Sequence, residues 1–201
     1  MKQVARTFDL LTELERNFPN KEDMLCKKRS GQWIKYSVKD YVKYSHLIAY
    51  ALNYLGYGNK DKAITICQNR PEWNFIDMGL NMANMVHIPV YPTLGNEDYL
   101  HIFNHSDSKI IFLDSAAMYN KIQPIVQQME HPARIILIDN SEDKECLRDL
   151  YKIGEEHLSE AKPKVDQIKE SIQTDELASI IYTSGTTGIP NNFSISFTRI
   201  E

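Results

Sequence analysis

The sequence predicts an α/β fold with a mainly parallel sheet flanked by helices. Two stretches, residues 109–113 and 134–138, are almost continuously apolar, which is typical of strands buried on both faces. Helical periodicities alternate with such short apolar runs along the chain, and this alternation favours a parallel sheet covered on both sides. With 201 residues and 42% hydrophobic content, the chain can bury a core of its own.

The first quarter of the chain is predicted to contain two helices and an edge strand. Residues 7–17 have the apolar spacing of a short amphipathic helix, and residues 32–36 alternate like an edge strand. Ser37 and Asp40 then form a capping-box pattern, which predicts the start of a second helix. Gly56 is expected to end that helix.

The remainder of the chain continues the alternation of strands and helices. Buried strands are predicted at 63–67, 86–90, 109–113, 134–138 and 177–182, and helices from Pro71 and at 97–104, 115–129 and 143–158. Two charged segments are expected to be solvated. They are a basic turn at 27–29 and a connector at 161–174 that contains Pro163.

The most informative segment follows the last predicted strand. Residues 182–190 read Tyr-Thr-Ser-Gly-Thr-Thr-Gly-Ile-Pro. Glycines let successive backbone N–H groups point into one concavity, and hydroxyls add donors without bulk, so the segment suits a phosphate group. The alternative is a structural Ser/Thr/Gly turn. It is not the usual nucleotide loop, because no Lys follows Gly188 and Pro190 disfavours a helix at that point.

This segment resembles the phosphate-binding signature of the adenylate-forming enzymes, which include acyl-CoA synthetases, luciferases and the adenylation domains of peptide synthetases. Residues 69–73 (Asn-Arg-Pro-Glu-Trp), 87–93 and 105–109 resemble segments of bacterial long-chain fatty acid–CoA ligases, in the same order. The resemblance covers residues 8–190. The signature is specific for the superfamily, and the flanking segments point to the long-chain branch.

The resemblance implies a function and a set of ligands. It implies an enzyme that adenylates a fatty acid with ATP and Mg²⁺ and then transfers the acyl group to coenzyme A. Fatty acid and CoA are the implied small-molecule substrates, and no residue of this chain is assigned to catalysis. The implied phosphate contacts are backbone amides and hydroxyls of the signature: Thr183, Ser184, Gly185, Thr186, Thr187 and Gly188.

The chain departs from the family pattern after Pro190. The family usually has Lys at the position of Asn191, and the motifs that follow it in the family do not follow here. We therefore expect residues 1–190 to be a partial AMP-binding N-terminal domain (an A-type subdomain) and residues 191–201 to be a divergent tail. The alternating apolar residues of that tail fit either an added strand or an incidental extension. We expect a truncated and inactive chain, ended by an early stop or a frameshift.

Two other functions are compatible with the same residues. The chain could be a non-catalytic nucleotide- or phosphate-binding fragment, since the cation of the family signature is missing. It could also come from an adenylate-forming ligase that uses a different carboxylic acid, because only the flanking segments favour long chains.

Charge, cysteine content and the lack of targeting signals limit the cellular compartments and binding partners that we expect for this chain. The net charge of −4, from 23 basic and 27 acidic residues, gives no electrostatic reason to expect nucleic-acid binding. No signal peptide or run of about 20 apolar residues is present, so we expect a cytoplasmic protein without a transmembrane segment. Peripheral membrane contact and oligomeric state stay open. Cys26, Cys67 and Cys146 are expected to be reduced, buried thiols.

Two histidines have a spacing that could suit a metal ion, and a third lies in a predicted strand. His101 and His105 are four residues apart on a predicted helix, but two ligands without a third are weak support for a metal site. We interpret them as residues of a helix face and expect no metal site. His87 lies in an apolar strand and is interpreted as a packed core histidine.

Overall fold

The computed structural model describes residues 4–183 and 191–197. The helices within them are α1 (Asp9–Asn17), α2 (Val38–Tyr54), α3 (Pro71–Met82), α4 (Asn96–Ser106), α5 (Ala116–Val126), α6 (Leu147–Glu156) and α7 (Leu158–Ser171). The strands are β1 (Leu25–Arg29), β2 (Gln32–Tyr36), β3 (Lys62–Ile66), β4 (Val86–Val90), β5 (Ile110–Leu113), β6 (Arg134–Leu137), β7 (Leu177–Thr183) and β8 (Asn191–Ser196).

Six strands form one sheet in the order β6-β5-β3-β4-β7-β8. The five strands from β6 to β7 are parallel to their neighbours, and β8 alone runs antiparallel, against β7. Strands β1 and β2 form a separate antiparallel ribbon. The predicted α/β class with a mainly parallel sheet is therefore confirmed.

Helices cover both faces of the sheet and divide the core into two clusters. Helices α1, α2, α3, α6 and α7 pack on the face that carries Ala63 and Phe112. Helices α4 and α5 pack on the opposite face, against Ile64 and Ile111. Successive residues of one strand thus enter opposite clusters, as the pleat requires, and the central strands are apolar throughout because both of their faces are covered.

Local signals place α2 as predicted. The Ser37 hydroxyl accepts a hydrogen bond from the Asp40 amide at 3.0 Å, and the Asp40 carboxylate accepts one from the Ser37 amide at 2.8 Å. This reciprocal capping box satisfies two backbone donors that the first turn leaves unpaired. Just beyond the helix, Gly56 adopts φ +84°, a conformation that L side chains avoid.

The two segments that were predicted to be a solvated turn and a solvated connector are largely exposed, but they are regular elements, so the prediction of irregular structure was wrong for both. Residues 27–29 lie in β1, because pairing with β2 and the contact of Lys27 with Glu72 outweigh the local charge. Most of 161–174 lies in α7, where Ala161 and Val165 are buried against the core. That burial outweighs the cost of Pro163 inside the helix.

Three further findings concern the cysteines, the C-terminal segment and membrane spans. All three cysteines are free, but Cys26 is exposed on the β1–β2 ribbon, so the expectation of buried thiols was wrong there. Residues 191–196 form β8, which is the strand alternative for the tail. Within residues 4–183 and 191–197, no helix has the length and apolarity needed to cross a bilayer.

Candidate functional site

The predicted phosphate-binding signature begins at the carboxyl end of a parallel strand. Thr183 is the last residue of β7 and is exposed, and Asn191 lies opposite it in the β7–β8 register. The other five predicted contacts, Ser184, Gly185, Thr186, Thr187 and Gly188, lie outside the described residues. In open parallel sheets, ligands bind beyond the carboxyl ends of the strands. Thr183 therefore lies at the edge of the sheet where a ligand is expected.

A cavity of about 400 Å³ opens beside this strand end. Its floor comes from the ends of β3, β4 and β7, represented by Thr65, Pro89 and Ile181. Its rim includes Arg70 and Trp73, at the start of α3. Residues 69–73 and 87–93 are separate segments of the sequence, and the fold brings them together around one cavity.

The two faces of β7 have different surroundings. Ile181 faces the cavity, whereas Tyr182 is buried on the opposite face, where its hydroxyl lies 2.7 Å from His105 Nδ1 on α4. Burial raises the pKa of the Tyr182 hydroxyl, so the hydroxyl keeps its proton at neutral pH. This contact ties α4 to the residue that immediately precedes Thr183.

The histidine pair on α4 has a structural explanation. The rings of His101 and His105 stack with centroids 5.7 Å apart, and His105 also has Tyr182 as a hydrogen-bond partner. In the part of the chain that the structure describes, no group of three His, Cys, Asp or Glu side chains is arranged to hold a metal ion. The helix-face interpretation fits these contacts.

A partly buried ionic cluster around the buried Glu72 borders the rim of the cavity. Arg70 bonds Glu72 at 2.9 Å, Asp139 at 2.9 Å and the Asp114 carbonyl at 3.2 Å. Lys27 also contacts Glu72. Burial alone would raise the pKa of Glu72, but the hydrogen bonds from Arg70 and Lys27 outweigh it and lower the pKa from 4.5 to about 2. The guanidinium is thus engaged by carboxylates, so its charge is compensated within the protein.

Cys67 lines the same cavity but is a poor nucleophile there. Burial raises the pKa of its thiol to about 12. The thiolate is the reactive form of cysteine, and it is scarce at neutral pH when the pKa is this high. The thiol therefore acts as a small apolar group of the cavity wall.

Beside the cavity, on the sheet face that α3 covers, three polar side chains form a continuous hydrogen-bonded chain. His87 is fully buried, with Nδ1 2.7 Å from Asp77 Oδ1 and Nε2 2.9 Å from the Thr65 hydroxyl. The Trp73 ring packs on the imidazole with centroids 5.2 Å apart. The prediction of a packed core histidine is confirmed, but its partners were missed, because they come from α3 and β3 and have no local sequence signal.

The chain belongs to the family of AMP-binding enzymes. The family match, described as AMP-binding enzyme, extends over residues 11–192, so it includes the cavity, the signature and the start of β8. Membership is consistent with an open α/β sheet in which the sequence of the signature follows the carboxyl end of β7.

Individual relatives agree with this family. The chain is 30% identical over 177 residues to long-chain-fatty-acid–CoA ligase 1 of the guinea pig, Cavia porcellus. The aligned region covers 84% of this chain and 25% of the relative. The chain thus spans about a quarter of the length of the curated relatives it matches.

Solved structures show the same fold at low identity. A luciferase-like enzyme from the mealworm Zophobas morio has a TM-score of 0.77 at 16% identity, covering 96% of this chain and 43% of that one. A benzoate CoA ligase from Burkholderia xenovorans has a TM-score of 0.70 at 12% identity, covering 96% and 34%. The fold of this chain is therefore that of adenylate-forming enzymes.

Proposed function

We propose that this chain is the ATP-phosphate-binding part of a long-chain fatty acid–CoA ligase. The observation that carries the proposal is the position of Thr183, which opens the signature at the carboxyl edge of the sheet and beside a cavity. Family membership supports nucleotide use, and the name of the guinea pig relative supports a long-chain acid. By the same reasoning, residues 1–190 would be a partial AMP-binding domain, and β8 would complete the edge of its sheet.

The reaction proposed for the whole ligase has two steps. The carboxylate of the acid attacks the α-phosphorus of ATP, and pyrophosphate leaves. The thiol of coenzyme A then attacks the acyl carbon, and AMP leaves. The contribution of this chain is to hold the outer phosphates through amides and hydroxyls, which positions the triphosphate and stabilises charge as pyrophosphate departs.

The described residues offer these phosphates little compensating positive charge. Arg70 is engaged by Glu72 and Asp139, and position 191 is Asn where the family usually has Lys. Mg²⁺, when it accompanies ATP, would supply charge that the described side chains do not. Binding would then depend on neutral donors, which are weaker than charge-assisted ones.

Calorimetric titration of the 201-residue protein with MgATP tests this proposal. We expect saturable binding that the Thr186→Ala, Thr187→Ala double variant weakens by at least about tenfold, since each lost hydroxyl removes a phosphate donor. Ser194→Ala, on exposed β8, is the matched control and should bind like the parent chain. AMP, which lacks the outer phosphates, should bind more weakly than ATP. Absence of binding, or equal binding by the double variant, would refute the proposal.

The identity of the acid is a separate part of the proposal. The benzoate CoA ligase shares the fold, so a ligase for another acid is the second candidate. Pyrophosphate release by the full-length product of the encoding gene, measured with palmitate and with benzoate, separates the two. Preference for palmitate supports the first candidate, preference for benzoate the second, and nucleotide binding without release supports a non-catalytic module.

A further inference from the structure

A lysine and a histidine meet where α7 packs on α2. Lys169 Nζ lies 3.4 Å from His46 Nε2, and the Asp166 carboxylate is 3.9 Å from the same amine. Helix α7 leads into the amino end of β7, whereas Thr183 is the last residue at the carboxyl end of that strand. The pair is therefore separate from the cavity and from the predicted phosphate segment.

The imidazole of His46 presents a lone pair to this amine. Its Nδ1 lies 2.9 Å from the Val42 carbonyl oxygen, and a carbonyl only accepts, so the proton of the neutral ring is on Nδ1. Nε2 is then the acceptor, and it faces Lys169 Nζ. Burial lowers the pKa of His46 from its ordinary value of 6.5, so the ring is mainly neutral at neutral pH. The Tyr50 ring packs against the imidazole with centroids 5.8 Å apart.

The carboxylates around the Lys169 amine have cationic partners of their own. Asp166 accepts a hydrogen bond from Lys162 at 2.6 Å. Asp9 is paired with Arg6 at 3.0 Å. Burial lowers the pKa of the Lys169 amine, and the charges of Lys162 and Arg6 add to this effect, although the carboxylates oppose it. The neutral amine, which is the nucleophilic form, is therefore more populated at neutral pH than in an ordinary lysine.

We propose that Lys169 is a nucleophilic lysine that takes an acyl group from thioesters, with His46 as the base that accepts its proton. The amine nitrogen attacks the carbonyl carbon of the thioester, a C–N bond forms, and the C–S bond breaks as the thiolate leaves with the electron pair. The proton that the nitrogen loses passes to His46 Nε2 and from there to the thiolate. The product is a neutral amide, which burial penalises less than an ammonium group.

Acetyl-CoA is a suitable probe, because it supplies a thioester without ATP. Lys164 on the same helix is the internal control, since its side chain is 56% exposed and pairs with Glu160 at 2.8 Å, whereas the Lys169 side chain is 23% exposed. Peptide mass spectrometry of the 201-residue protein measures both acetylation rates. We expect Lys169 to react at least about tenfold faster, because a positioned base contributes that much or more. Exposure alone would give the reverse order.

Two variants separate the roles of the amine and the imidazole. His46→Gln keeps a polar side chain without a basic nitrogen, so Lys169 should then react no faster than Lys164. Lys169→Arg keeps the charge without the nucleophile, so the fast first acetylation should vanish from the intact-mass time course. Lys164→Arg is the matched control and should retain that fast step. Thermal unfolding shows whether each variant is folded.

The pH profile distinguishes a base from a histidine that only supports the structure. His46 accepts a proton only while it is neutral, and its pKa is lowered from 6.5. The excess rate of Lys169 over Lys164 should therefore persist down to pH 6.5 and disappear well below it. This profile is measured on the parent protein, so it tests the inference even if His46→Gln does not fold.

Several results would overturn the inference. They are acetylation of Lys169 no faster than that of Lys164 in the parent protein, an excess that survives in folded His46→Gln, a fast step that remains in Lys169→Arg, or an excess that does not change with pH. Failure of the MgATP titration would leave these outcomes unaffected, because the thioester is added directly.

Discussion

The centre of the sheet and its β7–β8 edge are built in different ways. Every residue of β5, and the last four residues of β3, is buried between two layers of helices. In β7 buried and half-buried residues alternate, and on β8 Phe193 is 61% exposed. The residues that hold the fold together are thus concentrated in the centre, while the predicted phosphate segment follows the thinner edge. Substitutions in the centre should therefore act mainly on the free energy of unfolding. Substitutions in the predicted phosphate segment should act mainly on ligand binding.

The edge is nevertheless tied to the core at a few points. Phe197, just after β8, is buried and meets Phe8 edge-on with ring centroids 5.8 Å apart. Its amide donates to the Glu176 carbonyl at 3.0 Å, and Lys60 pairs with the Glu176 carboxylate at 2.7 Å. Because Phe197 is the aromatic residue among these contacts, we expect the attachment of β8 to the core to depend on its ring.

The largest expected effect on the free energy of unfolding comes from Gly154, in the helical layer that covers the centre of the sheet. An added Cβ on Gly154 of α6 would be 2.3 Å from the Leu47 carbonyl oxygen of α2, so Gly154→Ala must separate the two helices. In an open helix the same change would add about 1 kcal/mol of stability. We expect instead a loss of about 4 kcal/mol, because backbone atoms cannot move aside as a side chain can.

Urea unfolding followed by circular dichroism measures this loss. Ser159→Ala, at an exposed position of α7, is the control and should change the free energy of unfolding by less than about 0.5 kcal/mol. If Gly154→Ala stabilised the protein, α2 and α6 could not be in close contact. The centre would then not be the more tightly packed of the two regions.

The second largest effect is expected at Phe197, which attaches the β8 edge of the sheet to the core. Phe197→Ala removes a buried ring and should lower the free energy of unfolding by about 3 kcal/mol. Phe193→Ala removes an exposed ring from β8 itself and should cost almost nothing. Hydrogen exchange of the β7 and β8 amides reports whether the loss is local. Similar effects of the two substitutions would show that β8 is not anchored through Phe197.

Much of this contrast could be predicted from local sequence patterns. The strand at 86–90 was predicted with the bounds that β4 has, and the capping box at Ser37 was found, because continuous apolar runs and caps are local signals. Helix α7 was missed, although Ala161, Val165 and Ile172 have helical spacing that would have revealed it. Pro163 and the surrounding charges concealed that spacing.

The candidate site was predictable only in part. The sequence identified the signature and its place after a strand, and Thr183 lies where that reasoning expects it. The phosphate-binding roles of Thr183 and of residues 184–188 stay predictions. The cavity and the hydrogen-bonded chain beside it could not be predicted from the sequence, because Thr65, Asp77 and His87 meet only after β3, α3 and β4 have packed. Contacts of this kind leave no periodic trace in the chain.

The smallest of the three effects concerns the ionic cluster between the ribbon and the rim of the cavity. Glu72→Gln keeps the shape but leaves Arg70 and Lys27 less compensated, so we expect a loss of about 2 kcal/mol at pH 7. The pKa of Glu72 is about 2 in the folded protein and 4.5 ordinarily, so the folded state favours the ionised form. This stabilisation is therefore complete above pH 4.5 and is lost as the pH falls toward 2.

The difference in unfolding free energy between the parent protein and Glu72→Gln should consequently shrink as the pH is lowered through that window. Glu22→Gln, at an exposed position, is the matched control and should differ little from the parent at any pH. A difference that stays constant with pH would mean that the carboxylate charge is not what binds the ribbon to α3. The cluster would then act through shape alone, and Arg70 would be available to a ligand at the rim of the cavity.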